Sequence, residues 1–209
     1  MNTRPTYREQ VQRLREDSIV EAVHRLLSSK GYEQMTVDEV AAEAGIAKAS
    51  LYKHFTSKEE LAGAAMVRVL DQALAFVEGL RGGDEGAAPA PDAALERLRA
   101  VASWAMQRQL EGGMPSLPSQ NSSLTESLKG NEEYMDRLIR LSTQLGTWIA
   151  EAQAGGRIDP RFPTDLVLYT LFARACDPVV GMLQSSGQYE NSQIVEWVAA
   201  TTFDGLRPR

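Results

Sequence analysis

The sequence predicts an all-α protein of about nine helices: a small N-terminal domain of three helices followed by a larger helical domain. Three observations point there. Apolar residues recur at helical spacing, i, i+3, i+4 and i+7, in each well-patterned stretch. Helix punctuation is explicit, with Thr36 and Glu39, then Ser57 and Glu60, at the capping-box spacing and Gly45 placed to stop a helix. Finally, TVDEVAAEAGIAKASLYKHFTSKEEL, Thr36 to Leu61, reads as helix, tight turn, helix, turn and the opening of another helix. That order is a helix-turn-helix.

Taken in order, residues 1–7 form an arm. The first helix covers about Arg8 to Lys30, with Ile19, Ala22, Val23, Leu26 and Leu27 on one face and Gly31 at its end. The second opens at Thr36, whose hydroxyl caps it, while Met35 and Val40 make a hydrophobic staple. Gly45 takes the left-handed conformation that ends it, and Ile46 and Ala47 turn the chain. The helix after the turn, about Lys48 to Phe55, points Leu51 and Phe55 inward with Ile46. Its outer side carries Ala49, Ser50 and Lys53, with Lys48 and Tyr52 on one flank and His54 on the other. Small or hydrogen-bonding groups between long donors suit a DNA major groove: the centre reaches base edges and the flanks reach phosphates. No acid lies between Ala44 and Ser57, and Lys58 follows at the start of the next helix.

This window resembles the DNA-binding signature of the TetR/AcrR family of bacterial transcriptional regulators. The likeness rests on Thr36, Ala44-Gly45-Ile46, Leu51-Tyr52-Lys53-His54-Phe55 and Lys58, and is specific over about Ile19 to Leu61. It implies a DNA-binding domain over 1–57 and a ligand-binding and dimerisation domain over 58–209. The implied function is a ligand-responsive homodimeric repressor on a palindromic operator. In that reading Thr36, Tyr52, His54 and Lys58 hold the phosphate backbone. Lys48 and Lys53 reach base edges or lie near them, and Ala49 and Ser50 shape the contact. A dimer places its two recognition helices about one turn of duplex apart, ~34–36 Å.

Charge is consistent with this once its distribution is considered. The net charge is −6, yet Arg4, Arg8, Arg13 and Arg15 cluster near the start of the chain, where they are candidates for phosphate or minor-groove contact. The acids lie mostly after Leu61. The opening MNTRPTYREQ lacks the apolar core of a secretory signal, and no apolar run is expected to reach the ~20 residues of a membrane helix. A single cysteine, Cys176, fits a reducing cytoplasm.

The fourth helix, about Lys58 to Leu80, is apolar almost all round, and 81–92 has the composition of a linker. Further helices are expected over about Asp92 to Glu111, Ser122 to Leu128, Asn131 to Ala154, Pro163 to Ser185 and Asn191 to Leu206. Pro178 should kink the penultimate one, or break it with Asp177 capping a new segment. The last two are the helices that the resemblance assigns to the dimer, through Leu168, Phe172, Val179, Leu183, Val195, Val198 and Thr202.

The residues do not form a catalytic or metal-binding pattern: there is no nucleophile elbow, no phosphate-binding loop and too few His and Cys for a metal site. A regulator without enzymatic activity, cofactor or metal is expected. Trp104, Gln107, Trp148, Phe172 and Cys176 are candidates to line a pocket for a small, partly hydrophobic effector, although aromatics at helical spacing serve equally as core. Oxidation of Cys176 is a variant of the same switch. From a different class comes an adaptor dimer that keeps the fold without specific DNA binding.

Overall fold

The computed structural model describes residues 6–82, 92–115 and 122–208, and among these the chain is helical with no strand. Its helices are α1 (Tyr7–Gln34), α2 (Val37–Glu43), α3 (Lys48–Leu51), α4 (Lys58–Gly82), α5 (Ala93–Leu110), α6 (Ser123–Gly130), α7 (Glu132–Ala154), α8 (Thr164–Arg174), α9 (Pro178–Ser185) and α10 (Asn191–Gly205). Most of the linker expected at 81–92 lies outside the described residues.

The chain divides into two compact units, Met1–Arg68 with Pro115–Tyr134, and Val69–Met114 with Met135–Arg209. The first therefore runs past residue 57 and takes in α6. The reason is packing. Its core joins Ile19, Val23 and Leu27 of α1 to Val40, Leu51 and Phe55, to Leu61 and Ala65 of α4, and to Leu124 and Leu128 of α6. The second unit buries Leu98 and Met106 of α5 with Leu145, Trp148 and Ile149 of α7, and closes them under Val180, Ile194 and Phe203. Because α4 lends side chains to both cores, its sequence is apolar on most sides.

Glycine ends the early helices as the spacing predicts. Gly31 sits at φ 77 within the span of α1, where no helical residue could continue the turn. Gly45, at φ 67, follows α2 with Ile46 N–H donating to Ala41 C=O at 2.9 Å and Gly45 N–H to Ala42 C=O at 3.1 Å, the paired bonds of a Schellman cap.

The expected helix over 163–185 is two helices, which raises the count among the described residues to ten. Asp177 caps α9 by accepting from Val179 N–H at 2.9 Å, and Pro178 takes the first position, where its missing N–H costs nothing. The buried Asp177 also pairs with Arg174 at 2.5 Å, and its carbonyl accepts from Gln109 Nε2 at 2.9 Å. One expectation needs correcting: by length and composition, Thr164–Ser185 is apolar enough to cross a membrane. The break at Asp177 leaves pieces of 11 and 8 residues, and at ~1.5 Å per residue neither approaches a ~30 Å hydrocarbon layer.

Candidate nucleic-acid interface

The interface is built on local caps. Thr36 Oγ1 accepts from Glu39 N–H at 3.3 Å, and the Glu39 carboxylate takes the Thr36 N–H at 3.0 Å and its hydroxyl at 2.8 Å. Glu39 is also bonded to Lys30, and these bonds, Lys30 first, hold its carboxyl down to about 2. Glu39 thus ties α2 to α1 and engages both the backbone and the side chain of Thr36. The second box differs from the expected form. Ser57 Oγ accepts from Glu60 N–H at 3.0 Å, but the Glu60 carboxylate turns one residue further back, to the Thr56 N–H at 2.6 Å and hydroxyl at 2.7 Å.

After the turn, α3 is regular only over Lys48–Leu51, and hydrogen bonds of helical type carry it on to Phe55. Leu51 and Phe55 are buried, which fixes the rotation of the segment and turns Ala49, Tyr52 and Lys53 outward, with Ser50 half-buried. Lys48 Nζ lies 2.9 Å from Asp38, whose carboxylate raises the lysine's pKa. Lys58 faces inward instead: its ammonium sits 4.3 Å above the Tyr32 ring and 3.4 Å from the Glu33 carbonyl. The eight residues expected to touch DNA are therefore of two kinds. Ala49, Ser50, Tyr52 and Lys53 line an outer face, whereas Thr36, Lys48, His54 and Lys58 are tied to neighbours.

Several acids of this unit are paired with its own cations, among them Glu43 with Arg25, Glu21 with Arg68 and Asp38 with Lys48. Each exposed pair contributes little stability, but together they mask negative charge. Arg15 and Lys53 have no ion-pair partner among the described residues, and both line a hollow of about 470 Å³ with Tyr7, Val11, Gln12 and His54. Tyr7 and Gln12 were missed in the sequence reading, although Tyr7, Val11 and Arg15 share one helical face at i, i+4 spacing. His54 Nδ1 lies 3.1 Å from Glu16 Oε1, which also accepts from Gln12 Nε2 at 3.0 Å.

A further network was invisible in the sequence. Tyr32 donates to Glu59 at 2.8 Å, Ser123 Oγ donates to the same oxygen at 2.7 Å, and the two hydroxyls are 2.9 Å apart. The bonds from Ser123 and Tyr32 hold the Glu59 carboxyl down to about 2, while burial pushes the Tyr32 phenol up to about 12. A carboxylate lowered on folding stabilises the protein above its unfolded pKa and loses that contribution as pH falls through the folded value. Glu59→Gln is therefore expected to lower Tm at pH 7. The gap from the parent should shrink between pH 5 and about 2, as read by thermal melts across that range.

In the second unit, the five residues expected to line an effector pocket differ in exposure, and Trp104 and Phe172 pack against the core that holds Trp148. Trp148 is buried in the core with Arg97 5.5 Å from its ring centre, and Trp104 stacks on Phe76 at 5.3 Å. Gln107 points outward and donates to Glu111 at 3.2 Å, and Phe172 and Cys176 are half-buried. A groove of about 310 Å³ lies elsewhere in this unit, with Leu74, Val77 and Ile139 as apolar lining and Arg81, Arg140 and Gln144 among its polar groups. Of the residues expected at the dimer contact, Leu168, Val195 and Val198 are interior, Phe172, Leu183 and Thr202 are half-buried, and Val179 is exposed. Beside Val179, α8 to α10 expose Leu166, Tyr169, Met182 and Trp197.

Comparison with known proteins bears on both units. Residues 19–65 match the family described as "Bacterial regulatory proteins, tetR family". An uncharacterized HTH-type transcriptional regulator of Mycobacterium tuberculosis is 40% identical over 67 residues, covering 32% of this chain and 28% of that protein. The chain thus matches less than a third of the length of such relatives. Two solved structures resemble nearly the whole chain. FadR from Bacillus subtilis, a transcriptional regulator in complex with stearoyl-CoA, aligns with TM-score 0.61 and 19% identity over 91% of this chain and 99% of that one. AibR in complex with isovaleryl coenzyme A and operator DNA aligns with TM-score 0.59 and 19% identity over 90% and 98%. At these identities the likeness establishes the fold.

Proposed function

We propose that this chain, whose residues 19–65 match the tetR family of bacterial regulatory proteins, is a ligand-responsive, homodimeric transcriptional repressor acting in the cytoplasm on a palindromic operator. The supporting observation is the outer face of the α3 segment. Ala49, Tyr52 and Lys53 face outward over a buried Leu51 and Phe55, with Arg15 and Lys53 unpaired beside them among the described residues. In this reading Lys53 reads a base edge, and Ala49 and Ser50 let the backbone approach the groove. Tyr52, Thr36, His54 and Lys58 fix register on phosphates, as phosphate contacts generally do.

The exposed Tyr169, Val179, Met182 and Trp197, large apolar side chains facing water on consecutive helices, support dimerisation. The groove beside Leu74, Val77 and Ile139, with Arg81 and Arg140, supports an amphipathic anionic effector. Coenzyme A thioesters are the class to test first, since FadR and AibR were solved with them. An effector needs to supply only ~1–3 kcal/mol of coupling to lower operator affinity usefully.

The adaptor reading draws on one observation, the pairing of Lys48 with Asp38, which removes a cation from the face. Salt separates the two. Phosphate contacts make log K fall with log salt at a slope of about −0.9 per phosphate neutralised. A steep slope on short duplexes is expected for the repressor, whereas a binding constant unchanged by salt would favour the adaptor.

A further inference from the structure

We propose that Glu16 is a positioning residue that holds His54 for a DNA phosphate in the hollow between α1 and the end of the α3 segment, so that each protomer takes up a proton when it binds DNA. This rests on the DNA-binding reading above and goes beyond it in assigning a charge state to one contact.

The geometry carries the argument. Glu16 Oε1 lies 3.1 Å from His54 Nδ1 and is itself held by Gln12 Nε2 at 3.0 Å. An ionised carboxylate only accepts, so Nδ1 carries the proton and donates. In a neutral ring the remaining nitrogen, Nε2, then has a lone pair and cannot donate to a phosphate oxygen. Phosphate binding at His54 therefore requires the imidazolium, which donates from both nitrogens, to Glu16 on one side and phosphate on the other. The bonds from Gln12 and His54 hold the Glu16 carboxyl below the usual carboxylate range, which keeps it anionic for this role.

Other charges set the direction of the linkage. Among the described residues, Lys53 on the same segment and Tyr7 and Arg15 of α1 share the hollow with His54, and Arg13 acts on Glu16. In the free protein the Glu16 carboxylate favours a positive ring and these cations oppose it. A phosphate entering the hollow offsets them and favours the imidazolium. The bookkeeping is simple: neutral His54, one proton and DNA give a complex with protonated His54 and no covalent change. Affinity should then be highest at low pH and fall as pH rises through the imidazole range.

The chain has two histidines, which makes the test clean. Binding of a short mixed-sequence duplex would be titrated at constant low ionic strength between pH 5.5 and 8.5, with the ring nitrogens of His54 followed by 15N NMR in free and bound protein. The expected result is a loss approaching tenfold per pH unit per protomer at the upper end, one proton per site, with His54 doubly protonated in the complex near neutrality. Glu16→Gln and His54→Gln should flatten that profile. Binding with a flat parent profile, or a neutral His54 in the complex, would overturn the inference while leaving DNA binding intact. Absence of binding at every pH would overturn both.

Discussion

Leu51→Ala is expected to destabilise the N-terminal unit by about 2–5 kcal/mol, the range for a buried leucine truncated in a packed core. Leu51 is fully buried, and it is the side chain that seats the α3 segment on the core shared by α1, α4 and α6. Little can collapse into the gap, because Val40, Ile19 and Leu61 of the same core cluster are themselves buried. Against a total of ~5–15 kcal/mol for a domain, the loss is large. Duplex affinity should fall with it, since the outer face keeps its orientation only while Leu51 and Phe55 hold the segment. Urea denaturation with far-UV dichroism checks the stability, and a loss under about 1 kcal/mol would mean that the segment is seated some other way.

The second large effect concerns recognition. Lys53→Ala is expected to weaken binding to a preferred duplex by ~1–3 kcal/mol and to relax sequence preference where the lysine reads a base. Tyr52→Ala should weaken all duplexes alike, because a phosphate contact carries no sequence information. Both side chains are exposed and neither belongs to the core, so the folded state should survive either change. Parallel binding measurements on preferred and scrambled duplexes separate the roles. Equal losses for Lys53→Ala on the two would remove it from base reading and leave it on the backbone.

What the sequence made legible was local. The Thr36 and Glu39 box, the Gly45 stop and the inward Leu51 and Phe55 are all settled within a few residues, and each stands in the structure where spacing placed it, while at Pro178 the structure takes the break with Asp177 as cap rather than the kink. What it hid was long-range. Ser123 meets Glu59 across 64 residues and Tyr32 across 91, and no periodicity announces such a contact. The effector candidates show the same limit on exposure. Trp148 and Gln107 lie on strongly helical stretches, yet one is core and the other faces water, because residue type alone does not say which face of a helix is covered. Leu168, Val195 and Val198, expected at a contact with a second copy, pack in the unit's own core, while Tyr169, Met182 and Trp197 are exposed. Nor did charge counting reveal that Lys48 and Lys58 are already engaged, one by Asp38 and one by Tyr32.

Selection of the purified, effector-free chain against random duplex DNA at low salt, followed by sequencing of what stays bound, tests the central claim most directly. Enrichment of an inverted repeat with half-sites about one helical turn apart is the expected result for a dimer presenting two α3 segments. Recovery of unenriched sequence, with protein that is folded by dichroism, would contradict it and reduce the helix-turn-helix to scaffold.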